Sequence, residues 1–198
     1  GQCTTDHISP AGKWLLYRGH LDKISDNIFS VAENIFTGKA GTAMDSQDKD
    51  TVKPISEVAR RYKALSIGWV VVGDENYGEG SSREHAAMSP RYLGCRVVLA
   101  RSFARLHLTN LKKQGILPLT FADKNCYERI RSKDKLSVHD ISSLAEGKTL
   151  FATLHHSDGS KESIELEHSM TKEQVMWFKA GSALNLVRSG HNERRTFE

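Results

Sequence analysis

Three short apolar runs alternate with two segments of helical period in the middle of the sequence. The pattern indicates strand, helix, strand, helix and strand, in that order, over residues 67–72, 82–93, 96–100, 102–114 and 116–121. Strands that alternate with helices in this way form a parallel sheet joined by right-handed crossovers. The sequence therefore predicts an α/β fold around a central β-α-β-α-β unit, with Gly115 closing its second helix.

The regions on either side follow other patterns. Residues 55–65 have helical period, whereas residues 37–53 are rich in Gly, Ser, Asp and Lys and are predicted to form an exposed loop. Further strands, with a turn signal at 157–159, are predicted at 135–138, 149–155 and 163–168.

An amphipathic helix is predicted over residues 171–188, with Gly181 bending or ending it. A chain of 198 residues suits one domain with a sizeable core. We assign residues 1–188 to that domain and leave 189–198 as an unassigned tail. Because the chain opens at Gly1 without an initiator Met, we expect it to be a fragment of a longer protein.

The turn between the first predicted strand and helix carries candidate site residues. It reads Asn-Tyr-Gly-Glu-Gly-Ser-Ser-Arg-Glu-His over residues 76–85. Two glycines suit a sharp turn, and Ser81 with Glu84 fits a capping box. A helix start attracts anions, and the Arg83 guanidinium can bind a carboxylate with two hydrogen bonds. The run predicts either an ordinary capped helix or a carboxylate site beside Ser81 and Ser82.

Composition and cysteine spacing exclude several other classes. No apolar run approaches the roughly 20 residues of a membrane span. The net charge of +4 is modest, and basic clusters such as Lys112-Lys113 lack interleaved aromatics, which disfavours a nucleic-acid partner. Cys3, Cys95 and Cys126 form neither a C-x-x-C pair nor a zinc pattern, so no metal site is expected. Cys95 is predicted to be a buried thiol.

Five motifs together resemble the C-terminal swivelling domain of aconitase. They are the run 76–85, Thr-Thr-Asp-His-Ile-Ser at 4–9, Tyr-Arg-Gly-His-Leu at 17–21, Ser-Phe-Ala-Arg at 102–105 and Thr-Asn-Leu-Lys-Lys-Gln-Gly at 109–115. Glu79 and the run 83–87 are similar to the mitochondrial type in particular. The resemblance extends to about Val187 and implies a swivelling fold with two β layers and one α layer.

The resemblance also implies roles for five residues. Ser81 matches the family's catalytic base. Asp6, the second candidate catalytic residue, matches an acidic residue near the active site, where it would orient its neighbours or cap its own loop. Ser82, Arg83 and Arg18 match residues that bind substrate carboxylates. The implied ligands are citrate, isocitrate and cis-aconitate, and the implied location is the mitochondrial matrix.

The family's [4Fe-4S] cluster is ligated by cysteines of other domains, and nothing in this chain resembles that ligand set. The chain alone is therefore expected to bind no cluster and to be inactive, with N-terminal cluster-bearing domains as its partner. Leu108 stands where the family usually has Glu, and Cys95 where it has Gly. Neither difference falls on a candidate site residue.

Two alternatives remain open. One is the small domain of an isopropylmalate or homoaconitate hydro-lyase, although the residue between the glycines, here Glu79, usually differs there. The other is a non-catalytic RNA-binding or assembly module. Cytosolic aconitase-type proteins, which bind RNA, usually read Gly-Ser-Gly-Ser-Ser-Arg-Asp in this loop.

Overall fold

The computed structural model describes the backbone of residues 2–194 and the side chains of residues 2–190. The strands are β1 Glu33–Asn34, β2 Lys39–Ala40, β3 Thr42–Asp45, β4 Thr51–Pro54, β5 Trp69–Gly73, β6 Cys95–Ala100, β7 Leu117–Phe121, β8 Lys135–Val138, β9 Leu150–His155 and β10 Lys161–Glu167. The α-helices are α1 Thr5–Ile8, α2 Leu21–Ile24, α3 Ile55–Ala64, α4 His85–Tyr92, α5 Arg105–Lys113, α6 Lys172–Lys179 and α7 Ala183–Arg194. Short 3-10 segments are Gly12–Tyr17, Ser25–Asn27, Lys124–Arg129 and Ile141–Ser143.

The centre is a mixed six-stranded sheet in the order β5-β6-β7-β10-β9-β8. Strands β5, β6 and β7 pair in parallel through the crossover helices α4 and α5, which confirms the predicted unit. Successive residues of β6 enter different cores: Val98 packs with α4 and α5 on one face, and Leu99 packs with Leu119 on the other. Burial on both faces explains why these strands are nearly continuous apolar runs.

The second half of the sheet is antiparallel. Strand β10 pairs with β7 and β9, and β9 pairs with β8, so the three later strands are confirmed. The predicted helix over 171–188 is two helices, because Gly181 adopts φ +90° just after Ala180, the C-cap of α6. Helix α7 continues into the segment assigned to the tail, and residues 195–198 lie outside the described residues.

Two local predictions are wrong. The segment 37–53 is not an irregular loop, because β3 and β4 pair within it as an antiparallel ladder. The fully buried Asp45 carboxylate lies 3.4 Å from Lys53 Nζ and 3.5 Å from Arg61 Nη1. Ion pairing and the packing of α3 on the ladder thus stabilise a segment whose composition is typical of loops.

The predicted helix 82–93 begins only at His85, with Glu84 as an N-cap that makes no side-chain bond, so the Ser81–Glu84 capping box does not form. Among the described residues, no helix is long and apolar enough to cross a membrane.

Candidate functional site

The loop between β5 and α4 is fixed to the start of α5. The Tyr77 N–H donates to the Ser102 carbonyl at 2.9 Å, and the Ala104 N–H donates to the Tyr77 carbonyl at 3.0 Å. The Tyr77 ring, 2% exposed, packs edge-on against Phe103 with centroids 6.0 Å apart. A buried aromatic anchor and paired backbone groups therefore set the path of the loop before the candidate residues begin.

The two glycines of the loop meet different demands. Gly78 adopts φ +82°, and a Cβ there would lie 2.2 Å from the His107 ring. Gly80 adopts φ +107°, which L side chains rarely do. The glycines thus permit the sharp turn that the sequence predicts. They also permit a close contact with α5.

The N-terminal segment is hydrogen-bonded to the same loop. The Gly78 N–H donates to the Cys3 carbonyl at 2.7 Å, and the Thr5 N–H donates to the Glu79 carbonyl at 2.8 Å. Helix α1 follows at once, capped by Thr4, whose side chain accepts from the His7 N–H. Because of these bonds, residues more than 70 positions apart in the sequence share one site.

Asp6 and Arg83 are brought together as an ion pair. Arg83 Nη1 donates to the Asp6 carboxylate and, at 3.2 Å, to the Ser9 carbonyl. The Arg83 side chain is 22% exposed and that of Asp6 is 62% exposed. Asp6 therefore holds a half-buried guanidinium in place.

Ser81 and Ser82 are exposed beside this pair. Neither hydroxyl has a hydrogen-bond partner among the side chains that the structure describes. The chain stays in a turn through Glu84, because the loop is tied to the N-terminal segment before α4 begins. The absence of the capping bond leaves both hydroxyls available to a ligand.

Arg18 lies close to the site but does not line its pocket. It follows the 3-10 segment Gly12–Tyr17, and its side chain is exposed. The His85 Nε2 lies 3.0 Å from the Arg18 carbonyl oxygen, which ties this segment to the first turn of α4. The structure thus groups Asp6, Ser82 and Arg83 closely and leaves the Arg18 guanidinium at the margin.

A pocket of about 240 Å³ lies between the loop and α5. We call residues 78–83 its loop wall and residues 104–110 its α5 wall. The full lining is Thr5, Asn76, Gly78, Glu79, Gly80, Ser81, Ser82, Arg83, Ala104, Arg105, Leu106, His107 and Asn110. Sequence reasoning identified the loop wall alone.

Three buried polar side chains of this pocket have no hydrogen-bond partner. They are Thr5 through Oγ1, His107 through both ring nitrogens and Asn110 through Nδ2. Burial lowers the pKa of His107 to about 4, so its imidazole is neutral at physiological pH. His107 and Asn110, three apart on a helix, share a face, and this spacing is a sequence signal that could have pointed to them.

The three cysteines do not lie together. Cys3 and Cys95 belong to the core under α4 and α5, and burial raises the pKa of both thiols to about 12. Cys126 is buried on the other face of the sheet. The described residues contain no group of three or more His, Cys, Asp or Glu side chains placed to hold a metal ion.

The sequence matches the family described as the aconitase C-terminal domain over residues 1–124. It is 53% identical over 96% of its length to a probable mitochondrial aconitate hydratase of Dictyostelium discoideum. It is 50% identical over 98% of its length to a mitochondrial aconitate hydratase of Schizosaccharomyces pombe. The chain spans about a quarter of these relatives, 24% and 25% of their length.

A similar fold occurs in a solved structure of 3-isopropylmalate dehydratase from Methanocaldococcus jannaschii. The TM-score is 0.62 at 18% identity, and the match covers 98% of this chain and 92% of that one. At that identity the likeness concerns the fold alone.

Proposed function

The chain belongs to the aconitase C-terminal domain family, and from this we propose that it supplies the catalytic base and carboxylate-binding groups of an aconitate hydratase. That enzyme would interconvert citrate and isocitrate through cis-aconitate. Residues 1–188 would form the domain unit. The [4Fe-4S] cluster would be ligated outside this chain, by N-terminal domains of the same protein. The matrix is the proposed compartment, because relatives at about 50% identity are named mitochondrial.

The observation that carries the proposal is the grouping of two free hydroxyls with one oriented guanidinium. Ser81 and Ser82 directly precede Arg83, and Asp6 fixes Arg83 through its ion pair. Isomerisation of a hydroxy acid by loss and return of water requires removal of a proton from a carbon beside a carboxylate. Such a site needs a base in reach of that proton and fixed positive charge for the carboxylate.

Ser81 Oγ is the proposed base. A serine hydroxyl gives up its proton in water only with difficulty, so its alkoxide must be stabilised where it forms. The Arg83 guanidinium, two residues away, is a fixed cation, and the loop is held by backbone bonds before the substrate arrives. Preorganised charge of this kind lowers the cost of forming the anion.

Ser82 and Arg83 are proposed to bind one substrate carboxylate, with Arg18 contributing from the margin of the site. Arg83 uses Nη1 for Asp6 and Ser9. Its other N–H groups remain for a ligand, since a guanidinium carries five. A tricarboxylate needs several fixed cations, and arginines from separate segments provide them.

Neither alternative function is supported as well. The named relatives at 50% identity or more are aconitate hydratases, whereas the isopropylmalate dehydratase shares 18% of its residues. For the RNA-binding alternative, Lys112 is 5% exposed and its Nζ donates to the Ser169 carbonyl at 2.6 Å. The Lys112-Lys113 pair is therefore not a basic surface patch.

Ser81→Ala in the full-length protein tests the proposal. We expect turnover of isocitrate to fall by at least about a thousandfold, with little change in substrate affinity, because an interaction made only in the transition state is lost. Ser157→Ala, in the exposed turn between β9 and β10, is the matched control and should keep normal turnover. Near-normal turnover by Ser81→Ala would exclude Ser81 as the base.

A further inference from the structure

The segment between Ser9 and Arg18 is held at both ends by the turn that carries the proposed base. Arg83 Nη1 donates to the Ser9 carbonyl at 3.2 Å. Two residues further along, at the first residue of α4, His85 Nε2 lies 3.0 Å from the Arg18 carbonyl oxygen. Because a carbonyl oxygen only accepts hydrogen bonds, Nε2 carries the proton and His85 is the donor. The position of the Arg18 backbone is therefore linked directly to the site turn.

Residues 12–20 have few other attachments to the protein. The further hydrogen bonds of this segment are local, such as that from the His20 N–H to the Tyr17 carbonyl at 2.8 Å. Its side chains are exposed or half-buried. Among the described residues, the bond from His85 is the only hydrogen bond that joins residues 12–20 to a segment beyond α2. The position of this exposed segment relative to the site therefore depends on His85.

The chain directly after Arg18 is bound more firmly. The Asp22 carboxylate accepts from Arg60 Nη1 at 2.7 Å, and the Asp22 carbonyl accepts from Arg60 Nη2 at 2.7 Å. The Tyr92 hydroxyl donates to the same carboxylate at 3.0 Å. Since Tyr92 ends α4 and His85 begins it, one helix holds the chain at Arg18 and again four residues later. The backbone between these two points is thus fixed on α4.

The two arginines of the proposed site are held in different ways. Asp6 fixes Arg83 through its guanidinium. The Arg18 guanidinium is exposed and has neither an ion pair nor a hydrogen bond among the described residues. A long side chain loses rotamer freedom when it binds a ligand, which weakens binding. A fixed backbone limits the positions from which the Arg18 guanidinium can approach, so less ordering remains for the ligand to impose.

We propose that His85 is a positioning residue for Arg18. Its Nε2–H holds the Arg18 backbone against the first turn of α4, so that the Arg18 guanidinium approaches the acid bound by Ser82 and Arg83 from a defined side. This inference rests on the proposed function, in which Arg18 binds a substrate carboxylate. His85 acts through Arg18 and does not touch the substrate.

The test compares two substitutions whose side chains differ by one methylene. In His85→Gln the amide can take the place of Nε2 and donate to the Arg18 carbonyl, whereas in His85→Asn it is too short to do so. The dissociation constant of propane-1,2,3-tricarboxylate, which has no hydroxyl to lose, is measured by calorimetry on the full-length protein. We expect His85→Asn to weaken binding about fivefold and His85→Gln to stay within about twofold of the native protein.

A double-mutant cycle separates positioning from a general structural role. Arg18→Gln alone is expected to weaken binding at least about tenfold, because a charged contact to the carboxylate is lost. In the Arg18→Gln protein, His85→Asn should add less than about twofold, since no guanidinium is left to position. His139→Asn is the matched control and should bind normally. Its Nε2 lies 2.7 Å from Thr153 Oγ1 in the antiparallel half of the sheet, so the variant loses a comparable exposed hydrogen bond away from the site.

Three results would overturn the positioning role. One is binding by His85→Asn that matches the native protein. Another is an equal loss from His85→Asn in the native and the Arg18→Gln proteins, because His85 would then act on the site independently of Arg18. The third is weakened binding together with a lowered urea midpoint in both His85 variants, since His85 would then stabilise the fold instead of positioning Arg18.

Failure of this inference can be distinguished from failure of the proposed function. If Arg18→Gln binds the acid normally, Arg18 is not a carboxylate-binding residue, and that part of the proposed function fails together with the role of His85. If Arg18→Gln binds weakly and His85→Asn binds normally, only the role of His85 is refuted. The turnover of Ser81→Ala is independent of both results.

Discussion

His107, in the helix α5 that packs on the parallel half of the sheet, and His156, directly after β9 in the antiparallel half, are both buried, at 2% and 5% exposed. His156 Nδ1 lies 2.8 Å from Asp134 Oδ1, and its Nε2 lies 3.3 Å from Glu162 Oε1. His107 has a partner on neither nitrogen. The antiparallel half thus pairs its buried imidazole with carboxylates of the protein, although His156 Nε2 makes no hydrogen bond, whereas the imidazole beside the parallel half has no partner.

The glycines of the two halves show the same contrast. Gly78 and Gly159 have nearly equal φ values of +82° and +87°. A Cβ on Gly78 would overlap the His107 ring, whereas a Cβ on Gly159 would meet nothing within 4 Å. The loop of the parallel half is therefore constrained by tertiary packing, and the β9–β10 turn by backbone conformation alone.

Gly78→Ala should have the largest effect on stability. We expect it to lower the free energy of unfolding by more than about 3 kcal/mol, because strain at positive φ adds to a steric overlap that extends to the His107 Cβ. Gly159→Ala, the matched control, should cost about 1 kcal/mol from backbone conformation alone. Urea unfolding of both variants measures the difference. Equal losses of stability in the two variants would show that the Gly78–His107 contact does not constrain the loop.

The next largest effect on stability is expected from replacing each histidine by leucine, which should distinguish the two halves of the sheet. At pH 7, His156→Leu is expected to cost about 2–3 kcal/mol, because it removes the partner of Asp134 Oδ1 and leaves the carboxylate, whose side chain is 5% exposed, with only the Arg131 N–H on Oδ2. His107→Leu removes no protein hydrogen bond and should change stability by less than about 1 kcal/mol. Equal costs would contradict the distinction between a satisfied and an open imidazole.

The same His107→Leu variant should also change the pH dependence of stability. Burial depresses the folded pKa of His107 from 6.5 to about 4, so between these values the unfolded chain binds a proton that the folded protein does not. Stability must then fall as the pH drops from 6.5 to 4, by about 3 kcal/mol from this residue. The variant should lack that part of the loss, while carboxylate effects common to both proteins cancel. Parallel stability curves over this range would contradict the burial of an uncharged ring.

Arg18→Lys should give the smallest effect and tests the margin of the site. Lysine keeps the charge but cannot make two parallel hydrogen bonds to a carboxylate. We expect citrate affinity of the full-length protein to fall about fivefold, or roughly 1 kcal/mol. Lys13→Gln, at an exposed position in the same 3-10 segment, is the control. Affinity unchanged within twofold would remove Arg18 from the set of carboxylate-binding residues.

Most of the central unit could be predicted because its strands are buried or partly buried on both faces and are therefore largely apolar. The β3–β4 ladder could not, because it depends on pairing of Asp45 with Lys53 and Arg61, which composition does not reveal. The start of α4 was misplaced for a related reason. The local sequence at Ser81 is sufficient to predict a helix cap. In the structure, hydrogen bonds from Cys3, Thr5 and Asp6 hold the residues before His85 out of the helix.

The sequence alone determined the parallel unit, the need for glycine in the site loop, and, through its motifs, the candidate residues Asp6, Arg18, Ser81, Ser82 and Arg83. These depend on local pattern, which a linear sequence carries. Only the tertiary structure decided that Asp6 pairs with Arg83 and that Thr5, His107 and Asn110 meet in one pocket with open hydrogen-bonding groups. The physical reason is that packing of distant segments decides which polar atoms come within hydrogen-bond distance of one another. A buried group without a partner can therefore be recognised only in the folded structure.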